Sequence, residues 1–231
     1  MGLFALVLGV MAFGTTAAQA EPGAFWKVNG TQISSTLLPE VKAEIDGPHG
    51  ILLTKVGLSK VEILCTTIGF NTAKLHELGR ATGKITFTGC ITKLNGTTAA
   101  ACVPHSPGAA NGTITTNALD GLLKLHTLEG GAKDDLLELL PESGTVFVTI
   151  VLGKAAPEKN ECAIGEKFDI TGPAFLKDCQ NEGLVEKVTH LFEEGPLTAL
   201  KFGANAATID GSAFASLVGA HVGMKWSGWP N

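Results

Sequence analysis

Charge is scarce in this chain of 231 residues. Charged side chains make up 17%, and 17 basic residues stand against 22 acidic ones. A formal charge of −5 argues against nucleic-acid binding through a general basic field. With 45% apolar residues the chain is still too apolar to stay disordered. Runs of about 20 apolar residues are missing, which argues against a transmembrane helix. The 29 glycines follow no triplet, so a collagen-like rod is excluded. Signatures of chemistry are missing as well. No cysteine pair has C-x-x-C spacing, so a zinc site lacks its usual parts. His49, His76, His105, His126, His190 and His221 never fall at H-x-H or H-x-x-x-H spacing. A G-x-S-x-G elbow is absent.

The first 20 residues carry no charge, and Gly2 to Phe13 is almost wholly apolar. Ala18 and Ala20 then supply the small-x-small pattern of a signal-peptidase site. Cleavage is expected between Ala20 and Glu21. The reading is a signal peptide over 1–20 and one domain over 21–231, secreted or otherwise extracytoplasmic. At roughly 150 residues per domain, one large domain or two small ones would fit. No linker or internal repeat marks a boundary.

Five cysteines suit that address: Cys65, Cys90, Cys102, Cys162 and Cys179. Sequence alone leaves their pairing open. Local spacing favours Cys90–Cys102 and Cys162–Cys179, each closing a short loop worth on the order of 3 kcal/mol. A competing arrangement joins Cys65 to Cys162 across facing strands and leaves Cys179 free. Cys102-Val-Pro-His105 is the nearest approach to a metal motif and reads as a loop.

Strand signals dominate. Ala24–Val28, Asn29-Gly30 and Thr31–Ser34 read as a hairpin, because a type I′ turn needs φ > 0 at both central residues. Short strands are expected at 51–56, 60–66, 83–90, 113–116, 122–128 and 162–170, and again at 197–202, 206–209 and 214–222. Thr145–Leu152, rich in β-branched residues, reads as a central strand. Residues 95–113 read as loop. Two segments look helical. Asp134–Leu140 suggests two turns with acids at the N-terminal end, and Glu182–Glu194 is ambiguous between helix and strand. Turn residues every 8–12 positions point to a mainly β, antiparallel sandwich or barrel-like single domain with few short helices.

Other motifs dissolve on inspection. Glu193-Glu194 and Asp134-Asp135 are neighbours, whereas a glycosidase pair needs about 5–10 Å across a cleft. Gly79 to Lys84 is one residue short of a phosphate loop and leads into a strand. Leu140-Pro-Glu-Ser-Gly144 resembles a sorting signal but lies far from the end and reads as a turn. Asn29, Asn95 and Asn111, each in N-G-T, read as turns rather than glycan acceptors. Trp26, Trp226 and Trp229 sit near the two ends of the mature chain. They read as core plugs, with stacking on a sugar ring as the alternative.

The order of these features resembles a group of uncharacterised secreted β-rich bacterial proteins. The shared features are W-K-V-N-G from Trp26, I-L-C at Cys65, F-T-G-C at Cys90, P-E-S-G-T-V-F from Pro141 and F-G-A-N-A-A-T-I-D-G from Phe202. The resemblance implies an exported β-rich fold and carries no activity, cofactor or site residue with it. Cys179 is an addition to that pattern.

The reading is therefore a non-catalytic secreted or cell-envelope protein with a structural, adhesive or binding role. It needs no cofactor and no nucleic acid, and its partner is unidentified. An extracellular hydrolase assembled from distant residues is the rival. A carbohydrate-binding module using Trp26, Trp226 or Trp229 is the third reading.

Overall fold

A computed structural model describes residues 23–128, 130–154, 162–190 and 199–229. The expected signal peptide and cleavage point, the turn near 153–161 beyond residue 154 and the Glu193-Glu194 pair lie outside the described residues. So do the side chains of His49 and His190.

Among the described residues nineteen strands follow one another along the chain. They are β1 (Phe25–Val28), β2 (Thr31–Gln32), β3 (Glu40–Val56), β4 (Ser59–Cys65), β5 (Thr67–Leu75), β6 (Arg80–Thr88), β7 (Ile91–Leu94), β8 (Thr97–Thr98), β9 (Pro104–His105) and β10 (Ile114–Thr115). They continue with β11 (Leu119–Thr127), β12 (Lys133–Pro141), β13 (Val146–Leu152), β14 (Lys167–Thr171), β15 (Ala174–Lys177), β16 (Val185–His190), β17 (Lys201–Phe202), β18 (Asn205–Leu217) and β19 (Trp226–Trp229). The only helical segment among the described residues is a 3₁₀ turn at Gly219–His221. The molecule is mainly β and forms a single β domain, as the turn spacing implied.

Eight antiparallel strands close on themselves in the order β3-β5-β6-β11-β12-β15-β16-β18, with β18 returning to β3. Closure removes the unpaired edges that an open sheet must hide. Along each strand alternate side chains point inward. Val41, Leu123, Leu137, Leu176, Val188 and Ala215 are all buried in this interior.

The long strands β3 and β18 outrun the barrel. Their pairing jumps from Ser212↔Asp46 to Asp210↔Ile51, and beyond that break they belong to a second sheet. Its order is β8-β7-β4-β3-β18-β17-β14-β13-β9. Several members are only two residues long. The inner face carries Val61, Ile63, Ile150, Leu152, Ile170 and Phe202, all nearly inaccessible to solvent.

Several sequence expectations need correction. Asp134–Leu140 is strand β12, not a helix. Leu137 and Leu139 line the barrel, while Leu136 packs outside against Phe175 and Leu128. A strand covered on both faces loses its alternation and reads like a helix turn. Within the ambiguous 182–194 segment, Val185–His190 is strand. Thr145–Leu152 gives β13, but its only neighbour on one side is the two-residue β9, so it is not central. The loop at 95–113 contains the short strands β8 and β9. Two expected C-terminal strands are one bulged strand, β18, and 219–221 is a 3₁₀ turn.

Candidate functional site

The N-terminal hairpin forms as the Asn-Gly pair demands. Asn29 and Gly30 have φ of 48° and 74°. The Asn29 side-chain oxygen also accepts a bond from the Lys225 backbone N–H at 3.1 Å. That contact begins the pairing of the two described ends. β1 lies antiparallel to β19, with Trp26 opposite Gly228 and Val28 opposite Trp226. Together with β2 they make a three-stranded cap.

Trp26 is 1% exposed and Trp226 3%, with ring centroids 5.9 Å apart. The Trp26 indole N–H donates to the Arg80 carbonyl at 2.7 Å, so the polar end of this ring is satisfied while its body fills the barrel. Gly228 is required by close approach: a Cβ there would stand 2.6 Å from the Trp26 ring and 2.8 Å from Leu123. The cap is tied down further by Gly228 N–H to the Cys179 carbonyl at 2.7 Å and Trp226 N–H to the Gly183 carbonyl at 2.9 Å. Two of the three tryptophans are thus core plugs, and their faces are closed to any ligand. Trp229 alone is partly exposed, at 38%. Its ring lies under the Lys27 ammonium at 5.0 Å.

Beneath the cap lies the one buried carboxylate of the barrel wall among the described residues. Glu186 stands opposite Ala215 and two residues before Val188, so it shares their inward face. It is 2% exposed. Burial pushes its carboxyl up from 4.5 to about 7, with Glu182 adding to the rise. Cys179 lies in the same region as a buried free thiol. Burial, followed by the nearby acids Asp178 and Glu186, raises that thiol to about 12. At neutral pH it holds its proton and is a packing group rather than a nucleophile. The Trp226 indole N–H is buried without a hydrogen-bond partner.

A cavity of about 70 Å³ runs through this interior, walled by Trp26, Phe70, Leu139, Val188 and Trp226. A second cavity of about 60 Å³ lies where the barrel meets the second sheet, between Ile45, Ile63, Phe87 and Ile150. Each has room for roughly two waters, far below the 300–1,000 Å³ of an ordinary ligand pocket. This barrel is filled by its own side chains.

The cysteines pair in neither expected pattern. Cys65 bonds Cys90, and Cys102 bonds Cys162. Local spacing fails because β4, β5 and β6 bring residues 65 and 90 together through the sheet. Cys179 is free, which matches one part of the competing arrangement but not its Cys65–Cys162 bond. Since Cys102 is oxidised, the Cys102-Val-Pro-His105 segment has no thiolate to offer a metal. His105 instead sits with Nδ1 3.4 Å from the Val103 carbonyl.

The other histidines are spread out. His76 bonds the Thr82 hydroxyl at 2.8 Å, and its burial beside Arg80 lowers its basicity. His126 packs edge-on against Phe175, and His221 ends the 3₁₀ turn. Asp134 and Asp135 begin β12 rather than a solvated loop. Desolvation and the neighbouring Asp134 charge raise the carboxyl of Asp135 above its ordinary range. Among the described residues no group of three or more His, Cys, Asp or Glu is placed to hold a metal ion.

Comparison of the chain with protein-family models, curated proteins and solved structures gives no match. Sequence reasoning missed Glu186 because V-E-K-V-T-H puts its two valines an odd number of residues apart, so neither face stands out as the apolar one.

Proposed function

We propose that the chain is an exported, non-catalytic protein of the cell envelope or its surroundings, working through its outer surface. The observation that carries this reading is the pair of disulfides within one scaffold whose interior is filled. Protein disulfides persist in oxidising compartments and are rare in the reducing cytosol. A packed, doubly plugged barrel leaves the outer strands and hairpin tips as the parts able to meet a partner. No described helix is long and apolar enough to cross a membrane. The apolar leader ending at Ala20 supports the same route.

The test is non-reducing mass spectrometry of the native protein from the extracytoplasmic fraction. The expected species begins at Glu21 and is four hydrogens lighter than its reduced form. An intact Met1, or five titratable thiols in the native material, overturns the reading.

A further inference from the structure

The outer face of the second sheet breaks a pairing rule. β3 and β4 are joined by the two-residue turn Gly57-Leu58, which fixes Lys55 directly opposite Lys60. Like charges in that position repel and weaken a hairpin. Thr54 and Val61 are buried, so the lysines beside them face out, and both are exposed. The row continues across the sheet. Ala207 pairs with Thr54, which sets Ala206 beside Lys55, and Ala206 pairs with the exposed Lys201. On the other side Lys93 stands opposite Glu62, and Glu62 bonds Lys60 at 2.9 Å. Four lysines thus share this end of the face with two acids, Glu62 and the exposed Asp169 two residues from Thr171, the partner of Lys201, in a chain whose acids outnumber its bases.

At the tip of the same hairpin Leu58 is fully exposed, with relative accessibility of 103%. An isolated apolar residue at a loop tip is ordinary. An apolar residue projecting beyond a row of lysines in which only Lys60 has an acidic partner at bonding distance is the arrangement that anionic lipid surfaces attract, with the cations at headgroup level and the side chain in the acyl boundary.

We propose that this end of the second sheet docks on an anionic lipid surface, with Leu58 inserting and Lys55, Lys60 and Lys201 meeting the headgroups. The proposal rests on the exported, surface-working reading above and names its partner. Binding through one leucine and a few lysines is weak and reversible. Each lysine contributes roughly a fivefold gain in partition, which falls as salt rises.

The experiment sediments the disulfide-bonded chain, residues 21–231, with vesicles of phosphatidylcholine alone or with about 30% phosphatidylglycerol, in about 0.1 M salt. The expected result is partition to the anionic vesicles only, reversed by about 0.5 M salt. Lys55→Glu with Lys201→Glu should lower it at least about twentyfold, and Leu58→Asp roughly tenfold. These positions are exposed, so circular dichroism should match wild type and the melting temperature should not fall, Lys55→Glu also relieving the repulsion with Lys60, and Lys124→Ala on the barrel should bind normally. Failure of the folded wild type to bind anionic vesicles overturns the proposal. Binding that ignores salt or these substitutions does so too. Lysine-dependent capture by a soluble polyanion without vesicle binding overturns the lipid assignment but leaves the exported reading intact. That reading fails separately, through the mass measurement.

Discussion

The barrel and the second sheet share their two longest strands, yet different forces hold them. The barrel closes its own hydrogen-bond ring, buries an apolar interior and is stoppered by Trp26 and Trp226. Neither disulfide crosses it, and Cys179 beneath its cap is a free thiol. The second sheet is open, and β8, β9 and β17 offer two residues each. Both disulfides lie there: one at the end of β4, the other between the segments that lead into β9 and β14. Where pairing is continuous the fold needs no covalent aid. Where it is short, cross-links shrink the unfolded ensemble instead. The same contrast separates their surfaces. On the barrel several outer charges are matched in pairs, among them Arg80 with Asp120 at 2.7 Å and Lys187 with Asp46 at 2.8 Å. The second sheet carries the lysine row that has too few acids to answer it.

Unplugging the barrel should cost the most stability. Trp26→Ala removes the most deeply buried ring of the cap and leaves a cavity, and the Arg80 carbonyl keeps only the His76 N–H at 2.8 Å. The loss should be roughly 4–5 kcal/mol, near the top of the range for buried aromatics. Hydrogen exchange should show protection lost first in β11, β12 and the β1–β19 pair. If β13 and β14 open first instead, the cap is not what holds the barrel.

The next effect comes from the other side. Cys102→Ser with Cys162→Ser opens a loop of 60 residues. The chain-entropy relation gives about 4 kcal/mol for that length. Here exchange should quicken in β13, β14 and β17 while barrel amides stay protected. Cys65 and Cys90, 25 residues apart, should contribute somewhat less, about 3.5 kcal/mol. Simultaneous loss of protection across barrel and sheet would show that the two regions fold as one unit and that the division between them is only geometric.

Much of this was legible in the residues, for local reasons. Asn29-Gly30 dictates a turn through its own backbone preferences, and a turn of that kind sets its hairpin. Trp26 and Trp226, near the two ends of the mature chain, read as core plugs, and both are buried where β1 pairs with β19. The Leu136-Leu137 run hid its strand because covered strands lack alternation. The cysteine pairs hid because contact across a sheet depends on register, which sequence distance does not report. The lysine row was the readable signal that went unused. A two-residue turn at Gly57-Leu58 already places Lys55 against Lys60, a like-charge pair that hairpins ordinarily avoid.

The smallest expected effect concerns Glu186, and it separates the barrel from the sheet by pH rather than by force. Its carboxyl rises from 4.5 to about 7 because burial disfavours the charge. In that interval the folded chain holds a proton that the unfolded chain has released. Stability from this group is full below pH 4.5, falls as pH rises and levels off above about 7. The drop should be on the order of 3 kcal/mol. Asp135, raised by burial, acts in the same direction, whereas His76, lowered by burial, loses stability as pH falls. Asp46 is lowered by its bonds to Lys187 and Ser212, so its contribution disappears only in stronger acid. Glu186→Gln keeps the shape and the neutral state while removing the titration. Urea midpoints measured from about pH 4 to about pH 8.5 should then show wild type falling relative to the variant, with the difference constant once the carboxyl is fully ionised. Parallel curves for the two proteins would mean that this carboxyl reaches water in the native barrel, and that the cap leaks instead of sealing it.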